Sequence, residues 1–149
     1  MEAKDVNPRS LGFLITDVAR LLRADLERRV ARAGLALTSG EARALVHAAA
    51  AEGARQTHLA ERMGVEPMTL CGYVDRLESQ GLVARQPHPQ DGRAKIVTLT
   101  PQGREMIREI APLLAAMLAD ATEGMSQAQI DALRAALEHM RARLTSDEG

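Results

Sequence analysis

The sequence predicts a mainly α fold of the α+β kind, a set of helices interrupted once by a β-hairpin. Three observations point that way. Apolar residues recur at three- and four-residue steps over most of the chain. Strong helix formers dominate, with 26 Ala, 19 Leu and 7 Met among 149 residues against two aromatics, Phe13 and Tyr73. One segment near residue 90 switches to short Val- and Ile-containing runs punctuated by Pro, Asp and Gly.

At this length the expectation is one domain over 1–149, large enough to bury a core without staples. The single Cys71 excludes an internal disulfide framework and suits a reducing compartment. No apolar run approaches the roughly 18 residues of a membrane span, and the opening MEAKDVNPRS lacks the basic-then-apolar layout of a signal peptide. A cytoplasmic protein without a membrane partner is expected. Near-absence of aromatics disfavours the base-stacking modes that grip single strands. Lys and Arg (19) nearly balance Asp and Glu (20), so any nucleic-acid contact must come from placed residues, not bulk charge.

The elements follow in order. Leu11, Leu14, Val18, Leu21, Leu22, Leu26 and Val30 mark an amphipathic helix over 10–33, stopped by Gly34. It would be about 36 Å long, more than a small domain usually keeps to itself. Thr38 with Glu41 reads as a capping box opening a second helix to residue 51. A third covers 56–63 and ends at Gly64; a fourth opens at Pro67 and runs to 80, stopped by Gly81. Strands follow at 82–86 and 95–99, joined by PHPQDGRA, a loop that reads as too long for a two-residue turn. Thr100-Pro101 opens a long helix in which Pro112 should produce a kink. Ser126 with Gln129 caps the last helix, whose Ile130, Leu133, Leu137, Met140 and Leu144 form a coiled-coil-like seam. Only the final SDEG looks frayed.

Helix, glycine turn, helix, hairpin is the order of a winged helix-turn-helix, with a reading motif at 56–80 and a wing at 82–99. In QTHLAERMGVEPMTLCGYVD, Ala60 is small where two helices cross, Gly64 makes the turn, and Leu70 and Tyr73 face inward. An ordinary helical hairpin would share this pattern, but not the hairpin strands behind it. The run from Glu66 to Gly103 goes further. It carries D-R-L-E-x-x-G-L-V-x-R at 75–85 and D-x-R…L-T-x-x-G through Asp91, Arg93, Leu99, Thr100 and Gly103. On these motifs, with FLITDVARLLRADLERR at the start, the chain resembles the MarR family of transcription regulators over residues 10–145.

The resemblance implies a homodimer, in which helices within 10–34 and 101–145 interlock and two copies of the 38–100 winged domain read a pseudo-palindrome in double-stranded DNA. Half-sites would lie about 34–36 Å apart. The helix opening at Pro67 would enter the major groove, with Met68, Thr69, Cys71 and Gly72 on its solvent side. Arg76 and Gln56 are candidate phosphate contacts. Arg93 would reach the minor groove from the hairpin tip, with Asp91 organising that loop through a nearby Arg. Lys95 and Arg85 are phosphate contacts or solvated charges. Gly72 departs from relatives with a longer polar side chain there, and Ala42 from relatives with Trp or Phe.

The family also implies a small anionic or aromatic effector; Arg20 and His47 are candidate carboxylate partners. Cys71 reads first as a small groove-side residue, with thiol redox sensing as the alternative. His47, His58, His88 and His139 have no metal-ligand spacing, and no catalytic motif is present, so neither cofactor nor enzymatic activity is expected. The function expected is a DNA-binding repressor released by an effector. The rival is a winged-helix dimer that serves as a protein-interaction module.

Overall fold

A computed structural model describes residues 6–146. The first five residues of the opening MEAKDVNPRS and the last three of the closing SDEG lie outside the described residues. The order is α1 (Leu11–Arg32), α2 (Ser39–Ala50), α3 (Gln56–Met63), α4 (Pro67–Ser79), β1 (Val83–His88), β2 (Asp91–Leu99), α5 (Pro101–Ala121) and α6 (Gln127–Ser146). By internal contacts the chain divides into two compact units, Met1–Ala115 and Ala116–Gly149.

The first unit holds the core. Leu45 of α2, Leu59 of α3 and Leu70, Val74 and Leu77 of α4 are almost wholly buried, with Ala42, Ala48 and Ala60 filling the tight approaches. Small residues let the three helices close on one another, and Leu26, Val30, Val83, Val97 and Ile110 complete the core. Each helix starts and stops where local chemistry requires. Thr38 and Glu41 exchange both bonds of a capping box at α2. Between α3 and α4, Gly64 takes φ 65° and the Val65 N–H donates to the Ala60 carbonyl at 3.1 Å, a Schellman closure that a side chain would strain. Arg104 of α5 grips Glu52, holding that carboxyl below its usual range chiefly through their hydrogen bond.

The hairpin differs from expectation. Its strands are longer, and the chain reverses in a two-residue turn, Pro89–Gln90, with His88 pairing with Asp91. The eight-residue loop is absent because its residues satisfy one another. Pro89 presets the turn, His88 Nδ1 accepts the Gln90 N–H at 3.1 Å, and Asp91 Oδ1 accepts the Arg93 N–H at 3.2 Å. Pro87, lacking an N–H, marks the break in register; between Lys95 and Asp91, residues 92–94 bulge out of β2. Gly53 and Ala54 also bond to Val97, so the α2–α3 loop is fastened to β2 by an isolated antiparallel bridge between Arg55 and Ile96.

Pro112 lies inside α5, which continues through it as one helix to Ala121. In the second unit, Ser126 and Gln129 form the expected capping box. Residue for residue α6 buries nothing, and Leu133, Leu137, Met140 and Leu144 stand exposed. Leu133 and Leu137, with Ile130 and with Leu118 near the end of α5, line an apolar groove of about 610 Å³. In α1, Leu11, Leu14, Val18 and Leu21 are likewise exposed, and only Leu26 and Val30 are buried. No helix of the described residues is long and apolar enough to cross a membrane.

Gly103 explains the last glycine of the wing signature. A Cβ there would fall 2.0 Å from the Leu82 carbonyl oxygen. Gly103→Ala should therefore cost about 1–3 kcal/mol, read as a lower urea midpoint with an unchanged slope. Gly12→Ala, where nothing lies within 4 Å, should leave the midpoint unchanged or higher.

Candidate nucleic-acid interface

Two helix N-termini and the hairpin carry the open donors and exposed cations of the winged unit. Pro67 opens α4 as its first helical residue, and no side chain caps the helix or places an acid in its first turn. The N–H groups of that turn are left for an external acceptor. Leu70, Val74 and Leu77 anchor the helix inward, which turns Met68, Thr69 and Asp75 to solvent; Met68 is 86% exposed. α3 is similarly uncapped, with Arg55 at its N-cap.

The hairpin meets α3 there. Arg55, Gln56 and Thr57 together with Arg93, Ala94 and Lys95 line a cleft of about 170 Å³. Arg93 and Lys95 are exposed. Asp91 lies 3.9 Å from Arg55 through its second oxygen while its first holds the Arg93 N–H, so one carboxylate shapes the bulge and ties it to α3. Gln56 Oε1 is buried without a hydrogen-bond partner among the described residues. The cleft thus gathers three cations and an open helix terminus.

Arg85 is engaged within the protein. It pairs with Asp75, approaches Glu78 at 3.9 Å, and donates to the Cys71 carbonyl at 3.2 Å, riveting the base of the wing to α4. Arg76 is also engaged. Its Nε stands 3.6 Å from Glu41 Oε1, and its guanidinium carbon 5.7 Å from the Tyr73 ring centre. Cys71 is half-buried, its Sγ 4.0 Å from Asp75 Oδ2. Gly72 is half-buried and helical, and a Cβ on it would meet only the Arg76 guanidinium, at 3.9 Å.

Arg20 and His47 are not alike. Arg20 is exposed on α1 and 3.6 Å from Asp17. His47 is half-buried on α2, and burial, reinforced by Arg43 and Arg62, holds its imidazole below the ordinary value. Arg43, also lowered by burial and by Arg23, donates to the Met63 carbonyl at the end of α3 at 3.4 Å. Sequence spacing missed this gathering of Arg43 and Arg62 around His47, with Arg23 beside Arg43; only the i, i+4 pair Arg43/His47 was visible in it. It missed Glu41 as well, whose capping-box role was plain but whose second oxygen reaches another helix. Ala42, where relatives place a ring, is fully buried. Among the described residues no cluster of His, Cys, Asp and Glu could hold a metal ion.

Comparisons with known proteins bear on this arrangement. A sequence profile described as the MarR family matches residues 37–95, from the start of α2 into the wing. The chain is 33% identical to the transcriptional regulator PA3341, over 92% of this chain and 99% of that one, with a TM-score of 0.79. It is 28% identical to CouR from Rhodococcus jostii RHA1, a structure bound to p-coumaroyl-CoA, over 91% and 94% of the two chains, with a TM-score of 0.74. A MarR-family regulator from Silicibacter pomeroyi is 26% identical, covers 96% of each chain and superposes with a TM-score of 0.81. The six helices and two-stranded wing of the described residues match the winged helix of these regulators. The chain therefore belongs to the MarR family of transcriptional regulators.

Proposed function

We propose that the chain is a homodimeric repressor that occupies a pseudo-palindromic DNA operator and is released from it by a small anionic effector. The observation that carries the DNA reading is the pairing of an uncapped, outward-facing α4 with the basic cleft of Arg55, Arg93 and Lys95. A recognition helix needs a free N-terminus and exposed residues for base edges, here Pro67, Met68, Thr69, Cys71 and Gly72. A wing needs a cation that can reach a groove, and Arg93 would serve from the 92–94 bulge behind the Pro89–Gln90 turn, where Asp91 accepts its backbone N–H. Gln56 and Lys95 flank the cleft, where a phosphate would meet the α3 N-terminus.

The dimer reading rests on apolar faces that one copy leaves open. Leucines at a/d spacing on α6 and the outer half of α1 are exposed well beyond what a solitary chain keeps in water. A second copy laid against them would bury these faces. The effector reading rests on neighbouring cations: Arg43 and Arg62 beside His47, with Arg23 next to Arg43. An anion entering there would relieve their mutual repulsion, whereas Arg20, already paired, is the weaker candidate. To release DNA the effector must bind the two states of the dimer with different affinity.

A gel-shift salt series with the protein's own upstream region tests the first claim; absence of sequence preference would favour the protein-interaction alternative. In the same assay Arg93→Ala should weaken binding and lower the salt-dependence slope by about one unit per wing. Leu137→Glu should convert a species of twice the 16.1 kDa chain mass into one of 16.1 kDa in sedimentation, with loss of operator affinity. Burial, with Arg43 and Arg62 nearby, holds the His47 imidazole below its ordinary value and favours its neutral form, and a bound anion would raise it. Effector binding should then take up a proton and tighten as the pH falls. In His47→Gln this pH dependence should flatten.

A further inference from the structure

The position of Gly72 calls for a reason. A glycine inside a helix is unfavourable relative to alanine, and Gly72 is not among the residues with positive φ. No backbone crowds it either. A Cβ there would touch only Nη1 and Nη2 of Arg76, at 3.9 and 4.0 Å. Helical side chains lean toward the N-terminus, so Arg76, one turn later, lies back over the space that a side chain at 72 would fill.

That guanidinium is fixed from behind. Glu41 is 3% exposed, the one charged residue in the buried set of described residues. Its Oε2 accepts the Thr38 N–H at 3.0 Å and the Thr38 hydroxyl at 2.6 Å, which orients the carboxylate. Its Oε1 then faces Arg76 Nε at 3.6 Å. The Tyr73 ring supports the cation from one side, at 5.7 Å. The ring is itself seated on Gly40, where a Cβ would fall 2.4 Å from its Cζ. Nε is therefore turned to α2, and the two Nη groups are left toward Gly72 with no hydrogen bond among the described residues.

From this geometry we infer that Arg76, delivered over Gly72 and held by Glu41 and Tyr73, reads a guanine in each half-site of the operator. The inference rests on the proposal that α4 enters the major groove. Two coplanar donors in a fixed fork match the O6 and N7 acceptors of guanine, and a fork already oriented loses less freedom on binding than a mobile one. Glu41 is a positioning residue. It touches no base and acts by presenting Arg76.

The test is selection of duplexes from a randomised pool by the wild-type protein and by variants. The wild type should select a guanine at one fixed position per half-site. In Arg76→Ala and Arg76→Lys preference for that guanine should fall by about tenfold or more, while sites with another base there change little. Glu41→Gln preserves the capping box, since glutamine serves at that position, and removes the charge. It should weaken the same preference at an unchanged melting temperature. Replacing the selected guanine by 7-deazaguanine should weaken wild-type binding and leave Arg76→Ala unaffected. A uniform loss across all sequences, largely restored by Arg76→Lys, would make Arg76 a phosphate contact and overturn the inference while leaving the DNA-binding proposal intact. Failure of the wild type to select any sequence would overturn both.

Discussion

Where α4 ends, the chain crosses its own later path. The Leu82 carbonyl accepts the Thr100 N–H at 3.1 Å and lies against Gly103 so closely that only a hydrogen atom fits between. Thr100 in turn caps α5 through the Gly103 N–H at 3.0 Å and donates its hydroxyl to the Gly81 carbonyl. This crossing joins the end of α4, the root of the wing and the start of α5. The hairpin can project only because its two strands are clamped where they leave and rejoin the helices. Arg85, bridging β1 to Asp75 and Cys71 on α4, extends the same clamp outward.

From that point two helices acquire different tasks. α2 is a platform: its alanines bury against α3 and α4, its first turn seats Tyr73, and Glu41 uses one oxygen for its own helix and the other for α4. α4 is the element presented to solvent. Desolvating a carboxylate is costly, but Glu41 keeps two hydrogen bonds from Thr38 and a cation nearby, which offset much of that cost. Basic groups elsewhere are distributed with few neutralising partners, around His47 and along the cleft of Arg55, Arg93 and Lys95. A chain with nearly balanced charge thereby acquires local positive fields without a polybasic tail.

The helices were legible in the sequence because their signals are local. Period, capping pairs at Thr38/Glu41 and Ser126/Gln129, Pro67, and the glycine stops each act within one turn, and α3 runs over the residues that spacing predicts. The wing was legible as a hairpin but not in its turn. Its composition signals a loop, whereas the pairing depends on side-chain bonds from His88 and Asp91 that composition does not reveal. Arg85 and Arg76 were harder still. Their partners lie on other elements, 10 and 35 positions away, and an arginine in a pattern looks the same whether solvated or bridged. Gly72 could be seen as a departure from relatives, but its meaning depends on where Arg76 lies.

Tyr73 gives the molecule an optical property. With no Trp and a single Tyr in the sequence, emission excited near the tyrosine band originates from one ring. That ring is seated on α2, belongs to α4 and carries a guanidinium over its face. The protein is a single-chromophore system whose probe stands where the platform meets the presented helix. Its intensity, anisotropy and quenching by external ions report the environment of that joint alone, with no label and no background from the rest of the chain.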